Sequence, residues 1–216
     1  MKKNTRKFLL PLAMIALSAP MLAAQAAGNA ELKVTGAIKT VACTPTLGGN
    51  GTVDFGVIPA SSLPAGKEMA LHWTPIDISI SCQAPVKMAL RVLDNRSASS
   101  THAGSHFSYG LGMVGGAKVG RYNLVIVPGS IRTDGAPAHN LFSVDGNQSW
   151  IVNGNGGQMG TDRAFSWTTA GGNTPAPFKE VRMSVYVVPY LNRPENLPLT
   201  QDIPLDGSAT VEIQYL

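Results

Sequence analysis

Cysteine is scarce. The 216-residue chain has two, Cys43 and Cys82, and a structural zinc site needs more ligands than two thiols. Helix periodicity is missing as well: past the first two dozen residues no stretch sustains an apolar repeat of 3.6. No sequence of fixed period recurs. There is no GxSxG, no HExxH and no reactive thiol once the two cysteines are committed to each other. A nucleophile–base pair or a pair of carboxylates within one motif is also lacking, so no catalytic residue, cofactor site or metal site is expected. No cluster of Lys and Arg is dense enough to track phosphates, which argues against a nucleic-acid partner. Beyond the amino-terminal segment no apolar run is long enough to span a bilayer.

That segment has its own reading. "MKKNTRK" is a basic start, "FLLPLAMIAL" an apolar run, and Ala24-Gln25-Ala26 puts small residues where a signal peptidase cuts. Residues 1–26 are therefore expected to be a secretory signal peptide, with Ala27 as the mature start. Four of the 17 Lys and Arg lie in it, which leaves 13 cations against 13 anions in a near-neutral exported chain. Export implies an oxidising compartment, so Cys43 and Cys82 are expected to form a disulfide. It would close a loop of about 40 residues, worth on the order of 4 kcal/mol in the chain-entropy account.

What the sequence has in quantity is alternation. "ELKVTGAIKTVAC" places Leu32, Val34, Gly36 and Ile38 on one face, and "IDISISC" does the same for Ile76, Ile78, Ile80 and Cys82. "TVDFGVI", "VKMALRVL", "RYNLVIVPG", "QSWIVN", "RAFSWTT" and "EVRMSVYVVPYL" are further strand signals, separated by turns such as "GGNG", "DNRS" and "NGNGG". Many short strands with Gly, Pro and Asn turns predict an all-β sandwich or barrel. About 190 residues after the signal suit one such domain. Glycine concentrates between about residues 94 and 177, which read as long loops or insertions within it.

Several motifs point elsewhere and are set aside. "GLGMVG" (Gly110, Gly112, Gly115) has dinucleotide-loop spacing but neither the preceding strand nor the following helix that such a loop requires. His102 and His106 have ligand-like spacing without a third ligand, and His72 and His139 stand alone. Asn95 and Asn147 begin glycosylation sequons. Trp73, Trp150 and Trp167 could form a sugar-stacking platform, although aromatic residues at strand positions are more often core.

The chain ends in "GSATVEIQYL", where Val211, Ile213 and Tyr215 alternate with polar residues up to an apolar Leu216. Chain ends usually fray, but this one reads as a strand running to the carboxylate. Taken in order, "TGAIKTVAC", "GTVDFGVI", "DISISC" and this ending resemble the structural subunits of chaperone–usher pili, the fimbrial pilins, in their larger fimbrial-like branch. Gly36 stands seven residues before Cys43, Cys82 lies in the next long strand, and Tyr215 is the penultimate tyrosine. The likeness covers the first third of the mature chain and its last ten residues.

The resemblance implies an immunoglobulin-like sandwich (36–216) that lacks its last strand and is completed by a donated one. It implies that Val211, Ile213 and Tyr215 border an open groove along which a periplasmic chaperone pairs. Basic residues of the chaperone cleft would hold the carboxylate of Leu216. It further implies that residues 27–35 form a donor strand with Gly28, Ala30, Leu32 and Val34 at its alternating positions. Burial of Leu32 and Val34 in a neighbour would contribute roughly 3–6 kcal/mol together. Only Ala27 precedes Gly28, so the donor is expected to be weaker than that of a rod pilin, as in a low-copy, tip-proximal or terminating subunit. An outer-membrane usher and neighbouring subunits are the other implied partners, with the cell-surface fimbria as destination. The alternative is a minor or tip-associated adhesin, or a secreted β-sandwich binding module, whose long middle loops would meet a host or surface receptor.

Overall fold

The computed structural model describes residues 32–37 and 42–216. The signal segment, Gly28, Ala30 and Ile38 lie outside the described residues. The chain divides between Ile38 and Lys39, so residues 32–37 fall before the division and all regular structure among the described residues falls after it. Residues 32–37 form no strand, although their alternation predicts one. A strand needs a partner for its backbone N–H and C=O groups, and none is paired with these residues. Leu32 and Val34 stand 89% and 88% exposed.

Sixteen strands follow among the described residues. They begin with β1 (Cys43–Leu47), β2 (Met69–Ala70), β3 (Thr74–Val86) and β4 (Met88–Asp94). Next come β5 (Tyr109–Gly110), β6 (Met113–Val114), β7 (Ala117–Lys118) and β8 (Gly120–Ile126). Then β9 (Arg132–Thr133), β10 (Ala136–Pro137), β11 (His139–Ser143) and β12 (Ile151–Gly154). The last are β13 (Gly157–Met159), β14 (Ala164–Thr168), β15 (Phe178–Leu191) and β16 (Ala209–Tyr215). Among the described residues helix is confined to 3-10 turns of three or four residues.

The protein is an all-β sandwich. One sheet runs β1-β3-β15-β8-β13, with β2, β5, β9 and β10 attached, and the other runs β12-β11-β14-β4-β16. β6 and β7 form a separate hairpin. All strand pairs are antiparallel. Register follows from the alternation. Val181 pairs with Ile80, Met183 with Ile78 and Val185 with Ile76, so one face of the β3–β15 pair is continuously apolar. In the second sheet Leu90 lies between Phe165 and Ile213. These faces meet in one core that includes Ile80, Val185 and Ile126 from the first sheet and Leu90, Phe165 and Trp167 from the second. Lys87 alone separates β3 from β4, and there the chain passes from one sheet to the other.

Residues 94–177 are strand as well as loop: they supply β8 to the first sheet and β11, β12 and β14 to the second. Glycines 112, 115, 116, 129, 135 and 146 in this stretch have positive φ, the backbone region that side chains disfavour. The "GLGMVG" run enters the β6–β7 hairpin and no helix follows it. Trp167 is buried in the core, whereas Trp73 is exposed and meets Tyr186 edge-on at 5.5 Å. The three tryptophans therefore do not act as one platform.

Candidate functional site

Cys43 and Cys82 are bonded and directly opposite each other in the β1–β3 ladder, with Cα atoms 4.0 Å apart. The bridge fastens the edge strand β1 to the long β3. The Cys82 sulfur is buried 3.6 Å from the thioether of Met88.

The terminal strand is zipped to β4 over its whole length, from Ala209 opposite Asp94 to Tyr215 opposite Met88. Its other edge carries no strand among the described residues, since β16 ends the sheet. In an antiparallel ladder alternate residues point their N–H and C=O away from the partner, so β16 offers a row of unpaired backbone groups along that edge. The chain before it continues the same parity. Ile203, Leu205, Ala209, Val211 and Ile213 all pack against the core, yet all are only partly buried.

Across from them stands the segment that follows β1. The turn Gly48–Gly51 leads into residues 52–58, the "TVDFGVI" run predicted as strand. This segment joins no ladder. Among the described residues, no backbone hydrogen bond joins residues 53–58 to another strand. Val53, Phe55 and Ile58 are half-buried, Phe55 and Ile58 against the core, with Phe55 5.2 Å from the His72 ring.

Between these two walls runs a trough open on one side to solvent. A cavity of about 720 Å³ lies toward Ile58, Val119, Leu191 and Ile203. A second, of about 260 Å³, lies over Ile78, Val92, Leu124 and Val185. The two share Val53, Phe55 and Leu205, so they form one feature. Its floor is the inner face of the sandwich. Gly207 lets the wall come down to that floor, because a Cβ there would stand 2.9 Å from the ring of Tyr122. Burial holds the hydroxyls of Tyr122 and its stacked neighbour Tyr109 well above the usual tyrosine pKa.

At the end of β16 the two edges meet, where the Cys43 N–H donates to the Tyr215 hydroxyl at 2.9 Å. The N–H of Leu216 donates to the carbonyl of Lys87 at 3.1 Å. Leu216 is exposed, and no ion pair engages the terminal carboxylate among the described residues.

Val211, Ile213 and Tyr215 lie along β16 with Leu216 just beyond it, and of the four only Val211 lines the trough. Of the four donor positions named from the sequence, Leu32 and Val34 are exposed, and Gly28 and Ala30 lie outside the described residues. Sequence reasoning missed Ile203 and Leu205 as wall residues. Their odd-numbered parity with Val211 was the available signal, masked by Pro204 and Gly207.

Residues 32–123 match the family described as a protein of unknown function, DUF1120. That match runs from Leu32 through β1, β3 and β4 into β8, and so includes the Val53–Ile58 wall and both cysteines. The chain is 25% identical over 225 residues to the protein GltF of Escherichia coli (strain K12), covering 87% of this chain and 89% of that one. It is 23% identical over 229 residues to the uncharacterized protein YhcF of the same organism, covering 90% and 94%. The chain is therefore similar to bacterial proteins along nearly its whole length.

Proposed function

We propose that this chain is a structural subunit of a chaperone–usher fimbria and assembles by accepting and donating a β-strand. The observation that carries the reading is the open edge of β16 beside a half-buried apolar trough. Ile203, Leu205, Ala209 and Val211 on one wall and Val53, Phe55 and Ile58 on the other leave the sandwich unsealed along one line. A strand laid in that line would pair its backbone with β16 and drive alternate side chains into the two cavities. Such an edge left bare is an aggregation hazard, which explains why a chaperone would have to occupy it first. The exposed carboxylate at Leu216 suits capture by basic residues of that chaperone.

In the assembled fibre the trough would take the amino-terminal segment of a neighbouring subunit. Leu32 and Val34, apolar and fully in water, are the donor side chains. The short stretch before them favours a minor or terminating position. Export through the periplasm to the cell surface follows from the same reading, with an outer-membrane usher as the assembly partner and no catalysis.

The deciding experiment is purification of the exported chain from periplasm. A stable one-to-one complex with a chaperone, dissociated by deleting residues 211–216, supports the proposal. A chain that accumulates alone as a soluble monomer, and ignores an added donor peptide, refutes it.

A further inference from the structure

The terminal strand borders a second cavity with its opposite face. Arg91 on β4, Gln214 on β16 and Ala164 on β14 share the outer surface of the second sheet, as the pairs Arg91–Glu212, Arg91–Ala164 and Gln214–Ala89 require. The small side chain of Ala164 leaves space beside Arg91. The loop after β11 covers that space and encloses an open cavity of about 330 Å³. Its lining is mostly polar, with Arg91, Ser143, Asn147, Asp162 and Gln214 beside Val144, Gly146 and Ala164.

The loop is well held. The Asp145 carboxylate accepts from the Ser143 and Ser149 hydroxyls and from the N–H groups of Gln148 and Ser149. Those bonds keep its pKa far below the ordinary carboxylate range. Asn147 adopts φ 72° and donates its Nδ2 to Gln214 Oε1 at 3.2 Å, tying the loop to the terminal strand. Asp162 is paired in bidentate fashion with Arg163, which is fixed in turn over the rings of Phe107 and Phe142.

After these bonds are assigned, three polar groups on residues lining the cavity have no protein partner among the described residues. They are the guanidinium of Arg91, Nε2 of Gln214 and Oδ1 of Asn147. Glu212 lies across the ladder from Arg91 but is exposed and makes no ion pair with it. The surplus is in donors. A guanidinium presents a planar fork that matches a carboxylate, and a side-chain amide offers single bonds to hydroxyls. The volume lies at the small end of ligand pockets. We propose that this cavity binds a small carboxylated, hydroxyl-bearing molecule of the uronic-acid type, with its carboxylate on Arg91 and its hydroxyls on Gln214 and Asn147. The site is independent of strand donation, and failure of either reading leaves the other standing.

The test is titration of the full chain, followed by calorimetry or NMR, with D-glucuronate, with glucose as the ring lacking the carboxylate, and with acetate as the carboxylate lacking the ring. Glucuronate should bind saturably, with glucose and acetate each weaker by at least about tenfold. Arg91→Gln should weaken glucuronate by at least about tenfold. Asn147→Ala, which also removes the tie to Gln214, should weaken it severalfold, with the far-UV circular dichroism still that of the β-sandwich. The proposal is overturned if glucuronate does not bind, if acetate binds equally well, or if both variants retain full affinity.

Discussion

Tyr215 and Cys43 are 172 residues apart in sequence, yet the tyrosine hydroxyl accepts the cysteine's backbone N–H at 2.9 Å. The contact joins the edge strands of the two sheets. It lies beside the disulfide, so covalent bridge and hydrogen bond together hold β1, β3 and β16 at a common corner.

Tyr215→Phe removes the hydroxyl and leaves the ring. The lost bond should cost about 0.5–1.5 kcal/mol, read as a fall in melting temperature of about 1–6 °C for a domain of this size. Under the fimbrial reading, Tyr215→Ala should also lower chaperone capture and periplasmic abundance. Unchanged abundance would count against a groove that needs this corner.

Cys43→Ser opens the loop of residues 43–82 and leaves a buried thiol at Cys82. The expected destabilisation is about 2–5 kcal/mol, measured by denaturant unfolding. In the unaltered oxidised protein a free-thiol assay should detect no thiol. Two reactive thiols would contradict the bridge.

Val211→Lys tests the trough from its wall. The strand should stay zipped to β4 through its backbone, but an ammonium would enter an apolar line that a donated strand must fill, at a desolvation cost. Chaperone co-purification should drop at least tenfold, about 1.4 kcal/mol, while far-UV circular dichroism of the retained protein stays that of a β-sandwich. Equal recovery of the complex would sink the wall assignment.

Leu32→Ser with Val34→Ser tests the donor. The double variant should still form the chaperone complex but fail to join a neighbour, since about 3–6 kcal/mol of apolar burial is removed. Fibres of normal length by electron microscopy would show that another segment donates.

Alkaline pH should loosen the sandwich through Tyr109 and Tyr122. Both hydroxyls are raised above the ordinary value of 10.0 by burial. Their contribution to stability is therefore complete below pH 10.0 and is lost as pH climbs above it, where the unfolded chain ionises first. Urea unfolding at pH 9 and 11 should show the loss, and Tyr109→Phe with Tyr122→Phe should reduce it.

The sandwich was legible because a strand's face preference is local. Ile76, Ile78, Ile80 and Cys82 announce which side of β3 is buried before any partner is known, and two cysteines leave one possible pairing within the chain. The alternation of Val211, Ile213 and Tyr215 likewise announced a strand at the chain end. Alternation does not say whether a strand will find a neighbour. "TVDFGVI" and "ELKVTGAIKTVAC" carry the same signal as β3, yet residues 52–58 and 32–37 join no sheet, because pairing is decided by backbone that must come from elsewhere.

Only the tertiary structure decided that β16 is an edge, that Val53 and Leu205 face one trough, and that Arg91, Asn147 and Gln214 meet over Ala164. Each of those facts depends on which strands lie side by side. The order of strands in a sheet is set by how distant apolar faces close over one another, and nearest neighbours along the chain do not encode it. Residue by residue, the sequence determined the two faces of every strand; the packing of the whole determined which edge was left without a partner.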